Sequence, residues 1–372
     1  MAILVATDKF KGTLSAAEAA SAMATGVRRV FPDQLIHVQP LADGGEGTVD
    51  ALVAGVGGRL VPVVVTGPLG APVEAGYGRL DDGSIAIEVA SATGLARLSP
   101  GEYAPLSATS RGVGELVATA IDDHPGGQIL MGIGGTASTD GGTGAATALG
   151  YRFLDPRGRE LAPGGGALRE LARIDPDRAT RPSGVIGLRD VANPLLGPRG
   201  CARVYGPQKG ASPDQVEMLE EAMTTFAERV RIDLGLDVAD LPGAGAGGGL
   251  GAGLVAFMGA QLRPGTGVIT GVVGLAAQIN GAELVITGEG SLDHQSLEGK
   301  VPAGVAASAA NAGVPCLAVA GRIALSEAEM RDAGFAAWAS AVEATGAERA
   351  LADPAAAVEE ATVAALAAFR GA

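Results

Sequence analysis

Lysine is scarce in this chain, and where it occurs it stands beside glycines and polar or charged residues. Of 27 basic residues only Lys9, Lys11, Lys209 and Lys300 are lysine; the other 23 are arginine. They occur in the segments Asp8-Lys-Phe-Lys-Gly12, Gly206-Pro-Gln-Lys-Gly210 and Glu298-Gly-Lys300. Lysine is a compact point charge on a flexible stem, suited to meeting one phosphate or carboxylate oxygen, and arginine cannot always replace it there. A chain that otherwise uses arginine therefore implies a chemical requirement at Lys11, Lys209 and Lys300, and with less force at Lys9. The carboxylates in glycine-rich turns are Asp8, Asp43, Glu46, Asp140, Asp190, Glu289 and Asp293. Cations and acids in such turns suit phosphoryl transfer. That reaction needs Mg2+ on the phosphates, positive charge on the transferring group and often a carboxylate to orient or deprotonate the accepting hydroxyl. Each acid taken singly serves as well as a turn former or helix cap.

Three stretches concentrate these residues. In Glu283–Lys300, Leu284, Val285 and Ile286 read as a buried strand that Gly288-Glu289-Gly290 is expected to break, with Asp293, Gln295 and Lys300 following before a helix near Pro302. Ligands of open α/β sheets bind beyond the carboxyl ends of strands, where such turns lie. The segment Gly132-Ile-Gly-Gly-Thr-Ala137 formally fits G-x-G-x-x-A between a strand and a helix. A dinucleotide site would add an acid about twenty residues on, and Asp155 stands near that distance. The adjoining Ser138, Thr139 and Asp140 favour a phosphate cradle of hydroxyls and N–H groups at the helix start, or a plain helix cap. Asp190 follows an apolar strand and precedes Asn193-Pro194, so burial is expected to lift its pKa into a base's working range.

Other chemistries find little support. Val301 follows Gly299-Lys300 where a P-loop needs Ser or Thr, and the upstream glycine is missing. His37, His124 and His294 have no metal-ligand spacing, and no G-x-S-x-G elbow is present.

The elements that must position these loops alternate. Residues 2–7 and 35–38 read as strands. Each is followed by a charged glycine loop and a helix; Ser15 caps the first helix with Glu18 at capping-box distance, and the second spans about 48–54. Short strands at 61–66, 73–80 and 84–89, separated by tight turns, predict an antiparallel or mixed section after a boundary near Gly58. Alternation resumes with a helix at 112–121, strands at 128–131 and 185–188, and a long helix opened by Pro213. A glycine-dense loop spans 242–253. The end of the chain adds helices near 303–311 and 326–332, a strand at 315–319 and a last helix from Pro354. Residues 155–183 give little signal.

The length of 372 residues suggests two domains or one large one. The chain is 47% hydrophobic but only 3% aromatic, so the core must be largely Val, Leu, Ile and Ala. A net charge of −14 and a pI near 4.7 argue against nucleic acid or an anionic membrane as partner, and leave a small anionic substrate open. Cys201 and Cys316 are the only cysteines and form no C-x-x-C, which suggests a reducing compartment and no metal cluster. The start reads as a strand and not a signal peptide. The uncharged runs 243–262 and 301–320 are interrupted by eight glycines and two prolines and make poor membrane spans. A cytoplasmic protein is expected.

The motifs together resemble the bacterial glycerate kinases of the first type, a non-P-loop kinase family. The resemblance rests on Asp8–Ser15, Pro40–Thr48, Gly132–Gly142, Asp190–Leu195, Tyr205–Gly210, Gly245–Gly253, Gly288–Ser296 and Gly299-Lys300, in order across nearly the whole chain. It implies transfer of the ATP γ-phosphoryl to a hydroxyl of D-glycerate with Mg2+, 2-phosphoglycerate being the favoured product. It also implies two α/β domains with mostly parallel sheets and the active site in the cleft between them. The expected division is 1–58 plus 283–372 for one domain and 59–282 for the other. The expected site has Asp190 as base with Lys11 and Lys300 as catalytic cations. Gly134, Gly135, Ser138, Thr139 and Lys209 are expected at the nucleotide phosphates. Asp8, Lys11, Asp43, Asn193 and Asp293 are expected at the substrate, and Asp43, Glu46 and Glu289 at the metal. ATP and glycerate are the expected partners, and a homodimer is compatible with the reading. The chain departs from the family at Lys9, often Ser; at Leu188-Arg189, often a small residue and Cys; and at Ser291, often Arg. A kinase for another small hydroxy acid or polyol, an NAD-dependent oxidoreductase using 132–137, and a non-catalytic nucleotide sensor are the alternatives.

Overall fold

A computed structural model describes residues 2–297 and 299–371. Its strands in chain order are β1 (Ala2–Thr7), β2 (Leu35–Pro40), β3 (Gly58–Thr66), β4 (Pro72–Leu80), β5 (Ile85–Glu88), β6 (Ile129–Gly132), β7 (Arg152–Leu154), β8 (Arg173–Asp175), β9 (Val185–Arg189), β10 (Gln261–Pro264), β11 (Ala282–Leu292), β12 (Cys316–Ile323) and β13 (Phe335–Ser340). The chain forms two compact units: Met1–Asp43 with Asp50–Gly57 and Thr266–Ala372, and Gly44–Val49 with Gly58–Gly265. The fold is α/β with mostly parallel sheets, as expected.

The first unit is built on a fully parallel five-stranded sheet, ordered β13-β12-β11-β1-β2. Its central strands read as continuous apolar runs because both faces are covered. On one face the Ala16–Val30 and Pro354–Gly371 helices pack over Ile3, Val5, Ile286, Leu317 and Val319. The Ala16–Val30 helix starts with the predicted capping box, Ser15 and Glu18 each reaching the other's backbone N–H.

One expectation fails here. Gly288-Glu289-Gly290 does not break β11, which continues through it to Leu292. The glycines are there for closeness. A Cβ on Gly288 would lie 1.7 Å from the Val319 carbonyl oxygen, and one on Gly290 would lie 3.0 Å from the Lys11 nitrogen. So Gly288 lets β12 pair tightly, and Gly290 seats the loop that follows β1.

The second unit is built on a mixed six-stranded sheet, ordered β10-β9-β6-β5-β4-β3. The strands β3, β4 and β5 run antiparallel, as the short strands and tight turns predict, and β5, β6, β9 and β10 run parallel. The core is aliphatic, with Tyr151, Phe153 and Phe226 clustered around Phe257 as its aromatic nucleus. Sequence reading misses the antiparallel β7–β8 pair, β10 and β13, each too short or too alanine-rich to stand out. The glycine-dense loop ends earlier than expected, since the Leu250–Met258 helix takes its last residues. Among the described residues no helix is long and apolar enough to cross a membrane.

Candidate active site

In the first unit, charged residues gather beyond the carboxyl edge of the sheet. Asp8 is the residue after β1, and its backbone N–H bonds the Gly288 carbonyl 3.0 Å away. With this tie to β11, Asp8 is only 4% exposed. Burial, then the neighbouring Asp43, push the Asp8 carboxyl up to about 7, while Lys9 and its backbone N–H, donated to Asp8 Oδ1 at 2.7 Å, pull the other way. Asp43 lies 3.9 Å from the Lys9 ammonium. Glu289 is raised as well, first by burial and also by Asp293 and Asp43, against the pull of Ser296 and Lys300. Its Oε1 is buried without a hydrogen-bond partner. The predicted residues Asp8, Asp43, Glu289, Asp293 and Lys300 are therefore electrostatic neighbours. Lys300 stands at the N-cap of the Val301–Ala312 helix. Asp293 Oδ1 accepts from the Gln295 and Ser296 backbones, so this acid also shapes its own turn. The side chain of Lys11 is exposed.

In the second unit, the loop after β6 is held from below. Ser138, Thr139 and Asp140 are fully buried. Asp140 organises the turn by accepting the Ser110 backbone N–H and hydroxyl at 2.8 and 2.9 Å and the Gly142 and Gly144 amides at 3.1 and 3.2 Å. Lys209 is buried beneath the loop. Its ammonium donates to the Ser138 carbonyl and lies 3.4 Å from Thr136 Oγ1, and burial lowers its pKa to about 8. Gly248, at φ +69°, completes the clamp: a Cβ there would lie 2.2 Å from the Ser138 oxygen and 2.7 Å from the Lys209 nitrogen. The hydroxyls of Ser138 and Thr139 are buried with no partner, and Gly134 and Gly135 expose the loop backbone beside them.

Asp190 departs from expectation. It follows β9 as predicted but is exposed instead of buried. Gly134 lies against it: a Cβ there would come within 3.5 Å of Asp190 Oδ2. Asn193 spends both polar ends inside the protein, donating to the Arg199 carbonyl and accepting from the Tyr205 hydroxyl, each at 2.8 Å. It ties down the 190–199 loop. Arg189 turns inward, with one terminal nitrogen 3.3 Å from the Val191 carbonyl and Nε buried and unpartnered. Glu46 is exposed. Glu88 was missed by sequence reading: its Oε2 accepts the Gly47 and Thr48 amides at 2.8 and 3.1 Å, fixing the loop that carries Glu46. The signal was available, since Glu88 is the one acid in the predicted 84–89 strand, one residue before its end.

Lysines and acids in glycine loops beyond parallel strand ends, without a P-loop, define an α/β class suited to phosphoryl transfer outside the P-loop fold. The chain belongs to the glycerate kinase family, whose model matches residues 3–370. The glycerate kinase of Bacillus subtilis (strain 168) is 45% identical over 327 residues, covering 87% of this chain and 85% of the relative. The glycerate 2-kinase of Escherichia coli (strain K12) is 43% identical over 327 residues, covering 87% of this chain and 86% of the relative. In three dimensions the chain is similar to a crystal structure of a glycerate kinase 2 from Salmonella typhimurium LT2. That match has a TM-score of 0.85 and 42% identity over 100% of this chain and 98% of that one. The dinucleotide alternative loses its acid: Asp155 is spent on the Arg157 and Arg159 amides and the Arg159 side chain.

Proposed function

We propose that this chain transfers the γ-phosphoryl group of ATP to the 2-hydroxyl of D-glycerate, giving 2-phosphoglycerate with Mg2+ as cofactor. The observation that carries the reading is Asp8, a buried carboxyl whose pKa lies near neutrality at the end of a parallel strand. A general base works best when its pKa is close to the operating pH. In this reading Asp8 replaces the exposed Asp190 as base. The proton of the attacking hydroxyl passes to the Asp8 carboxylate, and the oxygen so freed attacks the γ-phosphorus while ADP departs. Lys300 and Lys11 supply positive charge toward the transferring group. Gly134, Gly135 and the unspent Ser138 and Thr139 hydroxyls bind nucleotide phosphate, with Lys209 holding their loop rigid from below.

The donors fit a hard divalent cation: Asp43 and Glu289 offer carboxylate oxygens, one of them buried without a partner. Among the described residues no group of three or more His, Cys, Asp or Glu is placed to cage a metal. That suits Mg2+, which is commonly bound through one or two carboxylates and the substrate's phosphates. Held by Asp43 and Glu289, Mg2+ would neutralise charge on the transferring phosphate. The 2-position follows the E. coli relative's name.

Phosphorus NMR of the product from ATP and D-glycerate tests the reading. A 2-phosphate ester is expected, and a 3-phosphate ester, or turnover only with another hydroxy acid or polyol, contradicts it. Asp8→Asn is expected to lower kcat by about 10²–10⁴, the range of general base catalysis, and Asp190→Asn by much less. The reverse order would return the base to Asp190. Near-normal rates in both Asp8→Asn and Lys300→Met would sink the assignment of this site.

A further inference from the structure

Strands β11 and β12 outrun their neighbours. They stay paired through Ser291↔Arg322 and Leu292↔Ile323, whereas the β12–β13 ladder ends at Ala320↔Ser340 and the β1–β11 ladder at Val5↔Ile286. The two form a ribbon beyond the carboxyl edge of the five-stranded sheet, the side on which ligands of such sheets bind. Side chains alternate along a strand, and residues in register on parallel neighbours share a face. Thr287, Glu289 and Ser291 thus lie on one face, and Arg322 stands beside Ser291 on that same face. This face carries unspent polar groups: Thr287 Oγ1, Glu289 Oε1 and Ser291 Oγ are all buried without a partner. Arg322 is exposed, and among the described residues its guanidinium enters no hydrogen bond or ion pair. It is the only arginine on the five strands of this sheet.

We propose that Arg322, with the Ser291 hydroxyl beside it, takes the carboxylate of the acceptor substrate. This rests on the glycerate reading above and names the subsite that separates a hydroxy acid from a plain polyol. Two other cations near this edge are engaged: Lys9 lies by Asp43, and Lys300 faces Glu289. A planar carboxylate is matched best by the two parallel N–H donors of a guanidinium, a geometry an ammonium cannot supply. Arg322 is a specificity residue; it takes no part in the proton or phosphoryl step.

Steady-state kinetics and calorimetric titration with D-glycerate, on the wild-type chain, Arg322→Gln, and the double variant Ser291→Arg with Arg322→Ser, test this. Arg322→Gln is expected to raise KM for glycerate about 10- to 100-fold, the scale of lost charge-assisted hydrogen bonds, while KM for ATP stays within about twofold. The double variant returns the guanidinium one strand over and recovers most of the loss, which a merely structural role would not do. A glycerate KM in Arg322→Gln within about twofold of wild type overturns the subsite. So does a rise in the ATP KM in its place, or a double variant no better than Arg322→Gln. If the wild-type chain neither phosphorylates nor binds glycerate, the glycerate reading falls and takes the subsite with it. Wild-type turnover with an unaffected Arg322→Gln removes the subsite alone.

Discussion

Asp8→Asn is expected to make the metal-free protein more stable at pH 8 while removing most of its activity. The direction follows from proton linkage. The Asp8 carboxyl titrates near 7 in the folded chain, raised from its ordinary value of 3.8 by burial and then by Asp43. Between those two values the folded state holds its proton more tightly than the unfolded state. Stability therefore falls as pH rises from about 4 to 7, and the full penalty remains above 7. The shift corresponds to about 4 kcal/mol. Asparagine keeps the Oδ1 that accepts the Lys9 amide and carries no charge to bury. The gain should appear as a higher melting temperature for Asp8→Asn at pH 8 with chelator present, shrinking toward zero near pH 4. Equal melting temperatures at pH 8 would mean that the acid cluster stores no such strain, and the base assignment would lose its physical footing. A site that holds acids apart from their preferred ionisation at a cost in stability is a common mark of catalysis.

The second large effect concerns Lys209, where burial lowers the ammonium pKa from 10.5 to about 8. Below pH 8 the folded chain carries this buried charge at a cost of about 3 kcal/mol. Between about 8 and 10.5 the unfolded state binds more protons, so the cost is relieved and stability rises with pH. Lys209→Met has no titrating group at this position. The stability difference between wild type and Lys209→Met should therefore move in favour of wild type from pH 7.5 to pH 10, read by urea unfolding at each pH. The methionine also leaves the Ser138 carbonyl without its cation beneath the loop. Catalytic efficiency toward ATP is expected to fall about tenfold or more, the scale of a lost hydrogen bond to a charged group. A pH-independent stability difference, or unchanged kinetics with ATP, would show that Lys209 does not clamp the loop.

The lysine count singled out Lys209, but not what surrounds it. A sequence shows the type and the flanking glycines. It does not show that Gly248 closes over the nitrogen, because that approach joins residues far apart in the chain. The same limit explains Asp8 and Asp190. Both follow apolar strands before a turn, and their exposures differ because Asp8 is tied to β11, a late strand that only the folded sheet brings beside β1. Gly288-Glu289-Gly290 misled for a related reason: glycine weakens a strand locally, yet here it is what allows β12 to approach. Elements with strong periodicity or caps, such as the Ser15-capped helix and the Pro213 helix, were legible. The three-residue β7 and β8 were not, since so short a run leaves no pattern. Ser291 could be singled out from sequence, whereas the arginine beside it depends on the β11–β12 register.

The two cysteines offer a way to watch the halves of this molecule separately. Cys201 is 0% exposed and Cys316 is 1% exposed, and burial pushes both thiols up to about 12. Little thiolate forms at neutral pH, and an alkylating reagent has no access in the native state. One cysteine belongs to each compact unit. Alkylation followed by mass spectrometry of the two cysteine peptides therefore reports the opening of each unit independently, with no engineered probe. The Asp8 and Lys209 variants, one in each unit, should change the labelling rate of Cys316 and Cys201 respectively.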